Sequence, residues 1–466
     1  MDLLLTHGYF LEEDSKELQI MKPYPPLGIL YLSSHLRRHG FGVELYDSTF
    51  GSLAELSRIF DSSAPGIVGI YGTLMTRRSV LEIAAAAKAR GWTVVLGGPE
   101  PSNYAAEYLA RSADFVVEGE GEITMQELLA AFRGADPAAV AKVRGLYYRE
   151  TSGRIAHTGV REQIADLDAQ PWPDRERIHI DQYISTWRQH HGKGSASVIT
   201  ARGCPYHCRW CSHSTYGKTH RRRSARNVAA EVEWILDRYH PDMLWMADDV
   251  FTIHHGWIKS YLGEVKRRGI RIPFECITRA DRLNSEMADA LAELGCFRVW
   301  IGSESGSQRL LDTMERGVTL GQVRQATSLC RERGIETGMF LMWGYEGEQM
   351  SDIEATVDHV KACLPDVFFT TVSYPIKGTP YYDEVSHRLV EVDDWGRTSD
   401  RELEIRGRHS RRYFQFADKL LRSEVDLHRL QQRNGEAADE ASLRELETQA
   451  AAARHALREA ALEVEA

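Results

Sequence analysis

The run Arg202-Gly203-Cys204-Pro205-Tyr206-His207-Cys208-Arg209-Trp210-Cys211 sets three thiols in a C-x3-C-x2-C spacing, close enough along the chain to face one inorganic centre. Iron–sulfur clusters normally take four thiolates, so three in one short loop imply a cluster with one iron left open for a small molecule to be bound and activated. A structural zinc ion is the competing reading. It needs a fourth ligand, and His207 or His213 stands nearby to supply one. Spacing alone leaves both open. Of the seven cysteines in the chain, the other four, Cys276, Cys296, Cys330 and Cys363, lie in apolar or helical contexts and read as reduced core thiols. Cys276 and Cys363 are near strand ends, where contact with a substrate is the rarer alternative.

Such a loop needs a rigid element on each side. An apolar run, Ser197-Val198-Ile199-Thr200, leads into it as a strand. Further strand-like runs recur at Met243–Met246, Phe274–Ile277, Arg298–Ile301, Gly338–Met342 and Val367–Val372, with helical stretches between them. This alternation predicts a parallel sheet. Polar or glycine residues follow each strand, which is where enzymes built this way place their chemistry. Asp248 and Asp249 follow the second strand, Arg279 the third, Glu304-Ser305-Gly306-Ser307 the fourth and Trp343-Gly344-Tyr345-Glu346-Gly347-Glu348 the fifth. Read singly, these are also a helix cap, a surface ion pair and ordinary turns.

A second alternating region occupies residues 1–131. Its strands are Leu3–Leu5, Val43–Tyr46, Ile67–Ile70, Thr93–Leu96 and Phe115–Val117, and Pro25-Pro26-Leu27-Gly28 introduces a helix that runs to His39 before Gly40. Open sheets of this doubly wound α/β type bind ligands beyond the carboxyl ends of their strands. Those ends carry Tyr71-Gly72-Thr73, Gly97-Gly98-Pro99-Glu100 and Glu118-Gly119-Glu120-Gly121-Glu122. Glycine there lets a flat ligand approach the backbone, although any α/β domain places glycine in such turns.

Between the two regions, residues 132–194 are turn-rich, with Pro171-Trp172-Pro173, and read as a wrapped linker. The barrel-like region covers 195–389. Beyond it, residues 390–466 are charged and helical: Leu420, Leu421, Val425 and Leu430, then Leu443, Leu446, Ala450, Leu457 and Ala460, predict a helical hairpin broken at Asn434-Gly435. Its second arm would pack on the barrel or mediate self-association, so the oligomeric state stays open. A chain of 466 residues accommodates three domains. No apolar run approaches the length of a membrane span, and Asp2 with no basic stretch before Leu3 does not read as a signal peptide, so a cytoplasmic protein is expected. The net charge of −10 opposes general nucleic-acid binding. The one basic cluster, His220-Arg221-Arg222-Arg223, faces solvent in the simplest reading and an anionic substrate in the alternative.

Taken in order, the cysteine loop, the strand ends after it and the glycine turns before it resemble the radical S-adenosylmethionine (SAM) enzymes that carry an N-terminal cobalamin-binding domain. The resemblance covers about residues 1–385 and reaches class B methyltransferases and anaerobic magnesium-protoporphyrin ester cyclases. It implies a Rossmann-like cobalamin domain, a partial (β/α)6 barrel and a C-terminal helical extension. Cys204, Cys208 and Cys211 would hold a [4Fe–4S] cluster. Trp210 would fill the aromatic slot before the last cysteine. Asp248 and Asp249 would meet the methionine ammonium of SAM, Arg279 its carboxylate, Glu304 and Ser305 the ribose, and Gly344 the adenine side. Trp343 and Glu346 depart from the small residue and proline usual at that turn. Cobalamin would lie against Leu27, Gly28, Gly72, Thr73, Gly97, Gly98, Pro99, Glu118 and Gly119. The Asp-x-His-x-x-Gly motif that provides a lower axial histidine is absent, and His7 reads as a turn histidine, so cobalamin bound without a histidine ligand is expected.

The reaction so implied begins with an electron from a donor such as flavodoxin or ferredoxin. SAM is cleaved to a 5′-deoxyadenosyl radical that takes hydrogen from an unreactive carbon, and methylcobalamin methylates a small-molecule substrate. Oxidative or ring-forming cyclisation is the alternative. A methylthiotransferase is rejected because no cysteine precedes Cys204. A non-catalytic cobalamin sensor is the reading from outside enzymology, and the intact cysteines, Asp248 and Glu304 argue against it.

Overall fold

The computed structural model describes residues 1–134, 137–432 and 440–463. Two compact units emerge: Met1–Pro205 with Ser212–Trp245 and Val392–Asp400, and Tyr206–Cys211 with Met246–Glu391 and Arg401–Ala466.

The first unit is built on a seven-stranded sheet. Its strands are β1 (Leu3–His7), β2 (Val43–Leu45), β3 (Ile67–Tyr71), β4 (Thr93–Gly97), β5 (Phe115–Val117), β6 (Leu146–Arg149) and β7 (Ile155–His157), in the order β2-β1-β3-β4-β5-β6-β7. β1 to β5 are parallel. The apolar runs predicted as strands form them because both faces are covered: Leu4 enters one core with Val68 and Ile70, while Leu3 and Leu5 enter the other with Ile29 and Val95. The connection order reverses between β1 and β3, which opens a crevice at their carboxyl ends. Pro25-Pro26 does introduce a helix, Leu27–Arg38.

The stretch 132–194 is more than a wrapped linker. β6 and β7 extend the sheet in antiparallel fashion, with Phe115 opposite Tyr148 and Tyr147 opposite His157, and the helix Ile180–His191 follows. The segment Val392–Asp400 also belongs to this unit. Asp400 is buried against Arg77 Nη2 at 2.7 Å, and the Arg77 guanidinium lies over the rings of Tyr104 and Trp395 at 4.4 and 4.5 Å.

The next strands are β8 (Ser195–Val198), β9 (Ala201–Arg202), β10 (Arg221–Arg222), β11 (Met243–Met246), β12 (Phe274–Thr278), β13 (Cys296–Glu304), β14 (Glu336–Trp343) and β15 (Val367–Val372). Six of them form a second sheet in the order β15-β14-β13-β12-β11-β8, and β12 to β15 are parallel. β9 and β10 make a separate antiparallel pair. The tail forms two helices packed on each other, Arg411–Gln432 and Glu440–Ala460, with Leu420, Leu421, Val425, Ala450, Leu457 and Ala460 buried. The expected break at Asn434-Gly435 lies outside the described residues. No helix among the described residues is long and apolar enough to cross a membrane.

Candidate functional site

In the second unit the Tyr206–Cys211 part of the cysteine loop is held by backbone bonds. Cys211 N donates to Cys208 O at 3.1 Å, Arg209 N to Met314 O at 3.1 Å, and Tyr381 N to Arg209 O at 3.0 Å. Cys208 is buried, and two guanidinium groups converge on its sulfur: Arg316 Nη1 at 3.7 Å and Arg279 Nη1 at 3.8 Å. A hydrogen bond from the Cys211 thiol, followed by the charges of Arg316 and Arg279, draws the Cys208 thiol below its ordinary range against the opposing effect of burial. A buried thiolate offered by this donor set suits a cluster ligand. Among the described residues no three His, Cys, Asp or Glu side chains gather around a single ion. His207 is exposed.

The turn after β13 is strained. Glu304 is a non-glycine residue at φ +61°, a conformation tolerated where surrounding contacts over-determine it. Its Oε1 is 3.7 Å from Arg316 Nε. Burial pushes its carboxyl up to about 7, although Arg316 pulls the other way. Ser305 and Gly306 press on the helix Met350–Cys363: Gly306 N donates to Thr356 Oγ1 at 2.9 Å, Ser305 Oγ lies 3.3 Å from Thr356 Oγ1, and Ser307 Oγ donates to Asp352 Oδ1 at 2.6 Å. Ser305 thus shapes the turn that presents Glu304.

Arg279 has several partners of its own. Its Nε donates to Asp281 Oδ1 at 2.9 Å, its Nη2 to Arg316 O at 2.8 Å, and its guanidinium covers the Tyr206 ring at 3.6 Å. It braces the cysteine loop. Asp248 is buried and Asp249 exposed. Partial desolvation, together with the neighbouring charge of Asp248, raises the Asp249 pKa. Trp210 packs edge-on to Tyr345, with centroids 6.4 Å apart. Gly344 donates to Glu348 Oε2 at 2.7 Å and accepts from Ser373 Oγ at 2.6 Å. Sequence reasoning missed Arg316, which no local pattern marks.

In the first unit the crevice turns are knitted together. Gly72 N donates to Gly97 O at 2.8 Å, and Thr73 N to Thr76 Oγ1 at 2.9 Å. Gly98 has φ +110°, and a Cβ there would stand 2.3 Å from Gly72 O, so only glycine closes this turn. Pro99 O accepts from Ser214 Oγ. A Cβ at Gly28 would meet nothing nearer than 3.8 Å and one at Gly97 nothing nearer than 3.9 Å. That uncluttered backbone fits a flat macrocycle. Leu27 is buried beneath it at the helix start. Glu118 is paired with His157 at 2.9 Å, so its carboxylate anchors β7, while Gly119 holds φ +77° beside it.

His7 is a structural residue. Its Nδ1 accepts from Tyr9 N at 3.2 Å, and its Nε2 lies 3.0 Å from Asp47 Oδ1 and 3.2 Å from Ser48 N. Neither nitrogen is available to a metal. The basic cluster is not a solvated face either: Arg223 is buried against Glu231, and Arg221 donates to Glu120 Oε2 at 2.7 Å. Cys276, Cys296, Cys330 and Cys363 are all buried and free.

Residues 198–360 match the model of the Radical SAM superfamily, and residues 19–129 that of the B12 binding domain. The chain is 30% identical over 385 residues to an uncharacterized methyltransferase, PH0819, of Pyrococcus horikoshii, spanning 80% of this chain and 81% of that protein. It is 26% identical over 392 residues to the anaerobic magnesium-protoporphyrin IX monomethyl ester cyclase of Rubrivivax gelatinosus, across 81% of this chain and 69% of the cyclase. In fold it is similar to the radical SAM methyltransferase TsrM from Kitasatospora setae, solved with cobalamin and a [4Fe–4S] cluster, at a TM-score of 0.69 and 21% identity over 83% of this chain and 74% of that one.

Proposed function

The chain belongs to the B12-binding radical SAM enzymes, related to class B methyltransferases and anaerobic magnesium-protoporphyrin cyclases, and on that premise we propose that it methylates an unactivated carbon of a small metabolite. The observation that carries the choice of methylation is the 30% identity, over four-fifths of both chains, to a protein named a methyltransferase. The family's cofactors are a [4Fe–4S] cluster, SAM and cobalamin. Together they supply a radical that takes hydrogen from an unreactive carbon and a methyl group to put in its place.

The protein's part is to bind, orient and exclude water. Cys204, Cys208 and Cys211 hold the cluster, and Arg279 and Arg316 keep Cys208 anionic by placing positive charge at its sulfur. Glu304, pinned by the Gly306 contact, presents a carboxyl toward the ribose hydroxyls of SAM. Asp248 and Asp249 offer carboxylate to its ammonium, and Gly344 shapes the adenine side. Gly28, Gly72, Thr73, Gly97, Gly98, Pro99 and Gly119 line the cobalamin crevice, with no histidine given to cobalt. A reducing cytoplasm and a flavodoxin or ferredoxin as electron donor complete this reading.

The test is anaerobic reconstitution with iron and sulfide, then incubation with SAM, cobalamin, a reductant and candidate substrates. 5′-Deoxyadenosine should form and vanish in Cys208→Ala. S-Adenosylhomocysteine should depend on cobalamin, and the product should gain the mass of one methylene. A product without that gain would replace methylation by cyclisation, the reading favoured by the Rubrivivax relative.

A further inference from the structure

The cysteine-bearing segment has a closed neck. Arg202 of β9 stands opposite Arg221 of β10, and Ala201 opposite Arg222. Gly203 holds φ +84°, and a Cβ there would lie 2.3 Å from Thr219 O, so the two arms touch directly after the strand pair. Cys204 follows at once, and all three ligand cysteines lie in sequence between the two strands.

Both neck arginines grip one turn, the Glu118–Glu122 turn after β5. Arg202 Nη1 donates to Glu120 Oε1 at 2.6 Å and its Nη2 to Glu122 Oε1 at 2.7 Å. Arg221 Nη1 donates to Glu120 Oε2 and to Ile164 O, both at 2.7 Å. Arg202, Glu120 and Glu122 are 4%, 8% and 5% exposed. Two guanidinium groups and two carboxylates balance there, and each buried charge depends on its partners. The same segment reaches the neighbouring turns beyond its cysteines. Ser214 Oγ donates to Pro99 O, and Thr215 O lies 3.7 Å from the position a Cβ at Gly119 would take.

We propose that this neck couples the two metal-cofactor sites: assembly of the cluster tightens cobalamin binding through Arg202 and Arg221, and bound cobalamin in turn protects the cluster. Three sulfur–iron bonds remove conformational freedom from the segment between β9 and β10. The neck passes that order to the turns after β4 and β5, which no longer pay for it when cobalamin binds. Linkage makes the effect reciprocal. Arg202 and Arg221 are positioning residues, with no contact to either cofactor required of them. The inference rests on the family's cofactor set, and its test is independent of whether the product is methylated or cyclised.

The experiment is an absorbance titration of the full-length protein with hydroxocobalamin, anaerobically, in cluster-loaded and cluster-free form. Wild type should bind at least about fivefold more tightly with the cluster, and saturating cobalamin should slow chelator bleaching of the cluster by a similar factor. Glu122→Gln should bring the affinity ratio below about twofold. So should Arg202→Lys, which keeps the charge but loses the two-pronged fork. Equal wild-type affinity with and without cluster overturns the proposal and needs no variant to fold. Variants that weaken cobalamin equally in both forms, leaving the ratio intact, overturn it too, because the arginines would then be merely structural.

Discussion

An alanine at Gly306 would put its methyl group where the helix Met350–Cys363 already runs. The added Cβ would stand 2.4 Å from Ala355 O and Thr356 Cα and 2.7 Å from Ala355 C. All three are backbone atoms of a regular helix, so the turn must move instead. Overpacking of this kind costs about 1–3 kcal/mol. Lifting the turn also breaks Gly306 N to Thr356 Oγ1 and Ser307 Oγ to Asp352 Oδ1, at about 1 kcal/mol net each. The sum is roughly 3–5 kcal/mol, lodged two residues from Glu304. If a third of it appears as misplacement of that carboxyl, SAM affinity falls about tenfold. Equilibrium dialysis with SAM on the reconstituted protein measures this, with thermal melts alongside. Gly263→Ala is the control: it lies inside the helix His255–Arg268 with nothing within 4 Å of its added methyl, and it should stabilise by up to about 1 kcal/mol. A Gly306→Ala protein that melts like wild type and binds SAM within about twofold would refute the placement of Glu304 by helix contact.

Asp400→Ala should destabilise the first unit by about 1–3 kcal/mol in urea melts, because it takes one of two buried carboxylates from Arg77, which keeps Glu100, and removes the acceptor of Tyr104 Oη at 2.7 Å. His7→Gln should leave the electron paramagnetic resonance of bound cob(II)alamin unchanged, whereas loss of a nitrogen splitting in the variant would make His7 a ligand after all. Burial holds the Glu348 carboxyl at about 8, up from an ordinary value of 4.5. Since the folded value is the higher one, its contribution is complete below about pH 4.5 and is lost as pH rises through about 8. Wild type should therefore lose melting temperature between about pH 6 and about pH 9 more steeply than Glu348→Gln, and parallel profiles would count against a buried neutral carboxyl.

Most strands were legible because their signal is local. Runs such as Phe115–Val117 and Val367–Val372 are short, apolar and bounded by polar or glycine residues, and they formed strands at those same limits. The cysteine loop was legible for the same reason: ligands for one cluster can be counted along a few residues. β6 and β7 were not, since Leu146–Arg149 and Ile155–His157 are short, mostly half-exposed strands at one margin of the sheet with no buried alternation to betray them. Nor could the sequence show which guanidinium meets which acid. His220–Arg223 reads as a charged surface, yet Arg223 finds Glu231 and Arg221 finds Glu120, about a hundred residues away. Arg279 braces Cys208 beside an Arg316 that no motif announced. The sequence by itself determined most of the order of strands and helices and the place of the cysteine loop within it, because hydrophobic periodicity and residue spacing act between near neighbours. Only the tertiary structure decided the partners of the buried charges, because a long flexible side chain takes its counter-ion from whatever the fold brings within a few ångströms, however distant in the chain.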